Sequence, residues 1–92
     1  MEKRIVVVDD FENTQWVIEF TLRSLKCEIL KAKNGKEALA FFDNRQIDLL
    51  ITDLNMPIMN GIELVRIVKG MQSYQRMPII MLTTELKPEL KK

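Results

Sequence analysis

The sequence predicts a single α/β domain built on a parallel sheet with helices on both faces. Three observations predict it. Apolar runs of strand length recur at Ile5-Val6-Val7-Val8, Leu49-Leu50-Ile51 and Pro78-Ile79-Ile80-Met81-Leu82, and each leads into polar residues. Such continuous runs suit strands covered on both faces, as in parallel sheets, better than half-exposed strands. Segments of helical periodicity separate them, so the order β-α-β-α-β-α-β calls for right-handed crossovers between parallel strands. The length of 92 residues allows one small domain with a modest core.

Taken in order, residues 5–8 form a β-branched central strand that ends at Asp9-Asp10. Residues 12–25 then read as a helix, with Val17, Ile18, Leu22 and Leu25 as its inward stripe and Trp16 beside that stripe. Glu28-Ile29-Leu30-Lys31-Ala32 alternates weakly and reads as an edge strand. After the turn signal Asn34-Gly35, residues 36–42 form a second helix facing inward through Ala38, Leu39 and Phe42. The strand that ends at Asp53 follows, then a loop with Pro57 and Asn60-Gly61. A third helix buries Leu64, Val65 and Val68, keeps Glu63, Arg66 and Lys69 wet, and stops at Gly70. A polar linker leads to the strand at 78–82, and residues 86–92 can start a helix with Pro88 in its first turn.

Composition removes several functions. Fourteen basic and thirteen acidic residues give a net charge of +1 without a long run of either sign, which argues against a nucleic-acid or membrane surface. No apolar stretch approaches the roughly 20 residues of a membrane span, and Met1-Glu2-Lys3-Arg4 has no signal-peptide pattern, so a cytoplasmic protein is expected. Cys27 is the only cysteine and reads as a small semi-buried residue; histidine is absent. Internal disulfides, cysteine zinc sites, serine–histidine triads and imidazole bases are therefore excluded. The six methionines are scattered and read as core filling.

What remains is carboxylate and hydroxyl chemistry. Asp9, Asp10, Asp53 and Thr83 all end predicted neighbouring strands, so the topology brings them to one carboxyl edge of the sheet. Taken singly, Asp53 also fits a helix cap or turn, and Thr83 an ordinary strand-end hydroxyl. Taken together, three converging carboxylates need a cation, and oxygen-only ligation points to Mg²⁺ or Mn²⁺. A carboxylate beside such a metal suits phosphoryl transfer, with Asp53 as nucleophile and Thr83 as a hydrogen-bond donor to a phosphoryl oxygen.

The motifs Val6-Val7-Val8-Asp9-Asp10, Thr52-Asp53-Leu54-Asn55-Met56-Pro57, Met59-Asn60-Gly61 and Pro78-Ile79-Ile80-Met81-Leu82-Thr83 resemble the response-regulator receiver domains of two-component signalling. Phe11 and Asn55 make the chain most similar to chemotaxis-type, single-domain receivers. The resemblance implies a flavodoxin-like doubly wound sheet of order 2-1-3-4, with residues 1–92 one incomplete receiver domain lacking the fifth strand and last helix. It implies that Asp53 is the phosphoacceptor for a sensor histidine kinase's phosphohistidine and that Thr83 is the switch hydroxyl. It also implies Mg²⁺ held by Asp10, Asp53 and the backbone carbonyl of Asn55, with Asp9 assisting through water. Such a module is not a free-standing enzyme; at most it catalyses its own phosphotransfer and autodephosphorylation.

Two departures stand out. Thr84 is larger than the family's usual residue after the switch hydroxyl. The family's fifth-strand lysine has no counterpart, because Lys87, Lys91 and Lys92 come too early. In a 2-1-3-4 sheet the strand Pro78-Ile79-Ile80-Met81-Leu82 becomes an exposed apolar edge, so a homo-oligomer is expected through it. A structural or assembly fragment with a relic site is thus the alternative function. A phosphatase of the haloacid-dehalogenase type would need an Asp-x-Asp signature on the first strand, whereas here the acids are adjacent.

Overall fold

The structure is a computed structural model in which residues 2–82 are described. Four strands, β1 (Lys3–Val8), β2 (Cys27–Ala32), β3 (Leu49–Asp53) and β4 (Ile79–Leu82), form one parallel sheet of order β2-β1-β3-β4. Their pairing aligns Ile5 with Ile29 and Leu49, Val7 with Lys31 and Ile51, and Ile51 with Ile80. Side chains alternate across a strand, so this register sorts them onto two faces. On one face Val6, Val8 and Leu50 pack with Ala38, Phe42, Leu64 and Val68. On the other, Ile5, Val7 and Ile51 meet Ile18 and Leu22. Burial on both sides is why the β1 and β3 runs are continuously apolar.

The helices α1 (Glu12–Leu22), α2 (Gly35–Leu39) and α3 (Gly61–Lys69) differ in how well the sequence outlines them. α1 ends three residues early, in a 3₁₀ turn at Arg23–Leu25, and Lys26 takes a left-handed φ of 54° to redirect the chain into β2. The expected inward stripe is therefore corrected. Ile18 and Leu22 are half-buried, Val17 and Leu25 are exposed, and the buried position on α1 belongs to Gln15. The physical reason is that α1 packs on β1 and β2 along a narrow strip instead of sitting in a deep groove. Trp16 is exposed, beside the stripe as expected.

α2 is a five-residue helix at Gly35–Leu39, shorter than the expected 36–42. Asn34 caps it by accepting the Glu37 N–H at 2.8 Å, and Phe42 still reaches the core from the turn that follows. α3 begins with a reciprocal capping box between Asn60 and Glu63. Gly70 closes it with a right-handed φ of −75°, so the stop does not use a left-handed glycine.

The linker after α3 is less polar than its composition suggests. It holds a 3₁₀ turn, Gln72–Tyr74, in which Tyr74 is buried with its ring edge-on to Phe42 at 5.0 Å. The Tyr74 hydroxyl accepts the Asn44 N–H at 2.9 Å and donates to the Arg45 carbonyl at 2.7 Å. Lys69, expected on the wet face, instead sends its amine under this turn to the Gln75 and Met77 carbonyls. Its aliphatic stem covers apolar surface while its charge satisfies carbonyls that the loop leaves without ladder partners. Cys27 is half-buried, Met77 is buried and Met56, Met59 and Met71 pack against the larger core, as the sequence leads one to expect, but Met81 on β4 is exposed and Met1 lies outside the described residues.

Candidate functional site at the carboxyl edge of the sheet

Asp9 follows the last residue of β1, and the ends of β1 and β2 are bound together beneath it. Its N–H donates to the Ala32 carbonyl at 3.0 Å. Buried Gln15 of α1 spans both strands, its side-chain amide donating to the Asp9 and Ala32 carbonyls at 2.7 Å each. The Asp9 carboxylate accepts the Phe11 N–H at 2.9 Å, at the start of α1, and this contact fixes the direction in which the carboxylate points.

Asp53 is the last residue of β3. The Leu54 N–H donates to the Leu82 carbonyl at 3.0 Å, continuing the β3–β4 ladder past it. The Thr52 hydroxyl donates to the Asp53 carbonyl at 3.0 Å, and Asp53 Oδ1 accepts the Asn55 N–H at 3.4 Å. On the far side, α3 starts almost in contact with the strand. A Cβ on Gly61 would lie 2.2 Å from the Asp53 carbonyl oxygen, so only glycine lets the helix approach this closely. The loop between them carries Ile58 at φ 73°, a left-handed conformation that a β-branched residue adopts at a cost of about 1–2 kcal/mol.

Asp9, Asp10 and Asp53 converge as the sequence predicts. One carboxylate oxygen from each lies within 4.8 Å of the others. Asp53 and Asp9 are buried, at 0% and 1% exposure, while Asp10 opens to solvent. Three negative charges at this spacing repel by roughly 3 kcal/mol per pair at an effective dielectric constant of about 20. The donor set is oxygen alone, which fits a hard divalent cation. Asn55 is exposed and joined to Asp53 through its N–H. Thr83, Thr84, Lys87, Lys91, Lys92 and the helix expected from Leu86 lie outside the described residues.

Two supporting residues escape a reading of motifs. Gln15 falls with Ile18 and Leu22 on one helical stripe, and a polar residue there is a signal that a buried carbonyl needs a donor. Gly61 reads as half of an Asn-Gly turn, and its close approach to Asp53 depends on contacts made only in the fold.

Sheet order and acidic edge together define a flavodoxin-like doubly wound domain with its site where open α/β sheets place theirs. The chain belongs to the response regulator receiver domain family, whose model matches residues 5–92. Among curated relatives, it is 44% identical over 84 residues to a chemotaxis protein CheY homolog of Campylobacter jejuni. That alignment takes in 89% of this chain, and the chain spans 65% of the relative's length. Among solved structures, the chemotaxis response regulator CheY4 of Vibrio cholerae superposes with a TM-score of 0.86 at 37% identity, covering 99% of this chain and 76% of that one. The response regulator TrrA of Thermotoga maritima, solved in complex with Mg²⁺-BeF, gives 0.79 at 36% identity, covering 89% and 70%. The chain is accordingly a response regulator receiver domain, similar in sequence to chemotaxis proteins of the CheY type.

Proposed function

We propose that Asp53 is the phosphoacceptor of this receiver domain and takes its phosphoryl group from the phosphohistidine of a sensor histidine kinase. The observation that carries this reading is the convergence of Asp9, Asp10 and Asp53 within 4.8 Å at the end of the central strands. In the step proposed, an Asp53 carboxylate oxygen attacks phosphorus in line. The P–N bond to the kinase imidazole breaks, its electron pair staying on that nitrogen, and an acyl phosphate remains on Asp53.

The residues fit Mg²⁺, with Mn²⁺ the alternative hard cation, held by Asp10, Asp53 and the Asn55 carbonyl, with Asp9 assisting through water. When bound, the cation supplies neutralising charge for phosphoryl oxygens. The TrrA complex with Mg²⁺-BeF supports this reading. Asp9 holds its place through Phe11 and Gln15, and Asp53 is held against Gly61, so the acids come together without rearrangement of the sheet. Thr83 directly follows Leu82, the residue in register with Asp53, which supports its role as switch hydroxyl.

Incubation with a small phosphodonor and Mg²⁺, read by intact mass, tests the proposal. The protein gains one phosphoryl group, and neither Asp53→Asn nor a sample with chelated metal gains any. An unlabelled protein under conditions that label full-length receivers contradicts it.

One observation favours a second role, in assembly. Among the described residues β4 pairs only with β3, and Ile80 at its centre is 47% exposed. An apolar edge of this kind supports self-association through β4.

A further inference from the structure

The outer side of α1 carries an arrangement that neither the acidic site nor the core uses. Trp16 and Phe20, one helical turn apart, stack with ring centroids 5.2 Å apart and planes inclined by 13°. The Arg23 guanidinium lies 5.2 Å above the Phe20 ring and continues the stack by a further turn. Even so, Trp16 remains 60% exposed and Phe20 53%. Together with Glu19 these side chains line a groove of about 330 Å³. The core-facing positions of the same helix are Gln15, Ile18 and Leu22, so packing on the sheet does not account for the aromatic pair.

Charge selects what the groove can hold. Glu19 is committed to Lys31, with Nζ to Oε1 at 2.9 Å. Arg23 makes no ion pair among the described residues, so the groove presents apolar faces beside an unneutralised guanidinium. Large aromatics with an adjacent arginine are the residue types that anchor protein interfaces. A carboxylate reaching a guanidinium gains a charge-assisted, bidentate contact that an ammonium cannot make.

We infer that the Trp16–Phe20–Arg23 groove is a docking surface for a partner protein segment that sets a leucine or phenylalanine side chain next to a carboxylate. The aromatic faces take the apolar side chain, and Arg23 takes the acid. This surface lies on the β2 side of α1, where Glu19 bridges to Lys31, and is separate from the acid cluster and from the β4 edge.

Trp16 is the only tryptophan, so its emission reports on this groove alone. The probes are two tryptophan-free peptides of identical Leu/Phe pattern, one carrying Glu at the flanking positions and the other Lys, each titrated into the full chain. The acidic peptide shifts Trp16 emission to the blue with saturation, and the basic peptide binds about tenfold or more weakly, the size of one charge-assisted contact. Arg23→Lys keeps the acidic preference, Arg23→Glu reverses it, and Phe20→Ala loses the response while far-UV circular dichroism is unchanged. The inference is overturned if both peptides shift the emission equally, if neither does, or if Arg23→Glu leaves the acidic peptide's affinity unaltered. It is also overturned if raising the protein concentration alone produces the shift, because the occupant is then a second copy.

Discussion

Gly61 and Gln15 show at the scale of single residues what motifs leave out. Asp9, Asp10 and Asp53 are legible in the sequence because each ends an apolar run, and topology then brings strand ends together. The residues that hold them in place are less legible, since their roles arise from contacts across 6 to 17 positions for Gln15 and from backbone against backbone for Gly61. Ile58 leaves no trace at all in the sequence, because a β-branched residue is the poorest indicator of a left-handed turn. Gly61→Ala places a Cβ 2.2 Å from the Asp53 carbonyl oxygen, and backbone must move to accept it. We expect a loss of about 2–3 kcal/mol in urea unfolding and weaker metal binding at the acid cluster. A variant of unchanged stability would show that α3 does not pin Asp53.

At the scale of elements, the strands follow their sequence signals closely and the helices less so. β1 and β3 appear where apolar runs stand because both of their faces are buried, whereas β4 follows its apolar run although Ile80 and Met81 are exposed. The stripe on α1 and the length of α2 misled, since a helix lying on a sheet edge needs only a narrow apolar strip and a five-residue helix has no period to detect. Below the β1–β3 register, Arg4 and Asp48 complete the strand pair. The Asp48 N–H donates to the Arg4 carbonyl at 2.7 Å, and the Arg4 N–H donates to the Asp48 carboxylate at 2.8 Å. That backbone donor, then the Gln46 amide and the nearby Lys3 and Arg4 charges, hold the Asp48 carboxyl below the usual carboxylate range. A lowered native pKa means that the unfolded chain binds the proton first as pH falls. The contribution is therefore complete above the unfolded value of about 4 and disappears as pH drops through the lower native value. Asp48→Asn should melt below the parent at neutral pH and converge with it on acidification below about pH 4. A gap that stays constant across this range would remove the charge from the account.

At the scale of the whole molecule, the described residues cover the sheet unevenly. α2 and α3 build the larger core on one face, while on the other α1 packs on β1 and β2 and leaves Ile80 of β4 exposed. Among the described residues, the same geometry that delivers Asp53 to the carboxyl edge puts β4 at the end of the sheet, so site and apolar edge are neighbours. If β4 mediates self-association, sedimentation velocity will show a dimer that grows with concentration, and Ile80→Lys will shift it toward monomer. A compact, cooperatively folded monomer at every concentration rules that role out. The central claim concerns Asp53 itself, and the most direct measurement locates the phosphoryl group. Borohydride reduction of the phosphorylated protein converts an aspartyl phosphate to homoserine, which peptide mapping by mass spectrometry places in the chain. Homoserine at position 53 alone is the predicted result; homoserine at position 9 or 10, or at none of the three, contradicts it.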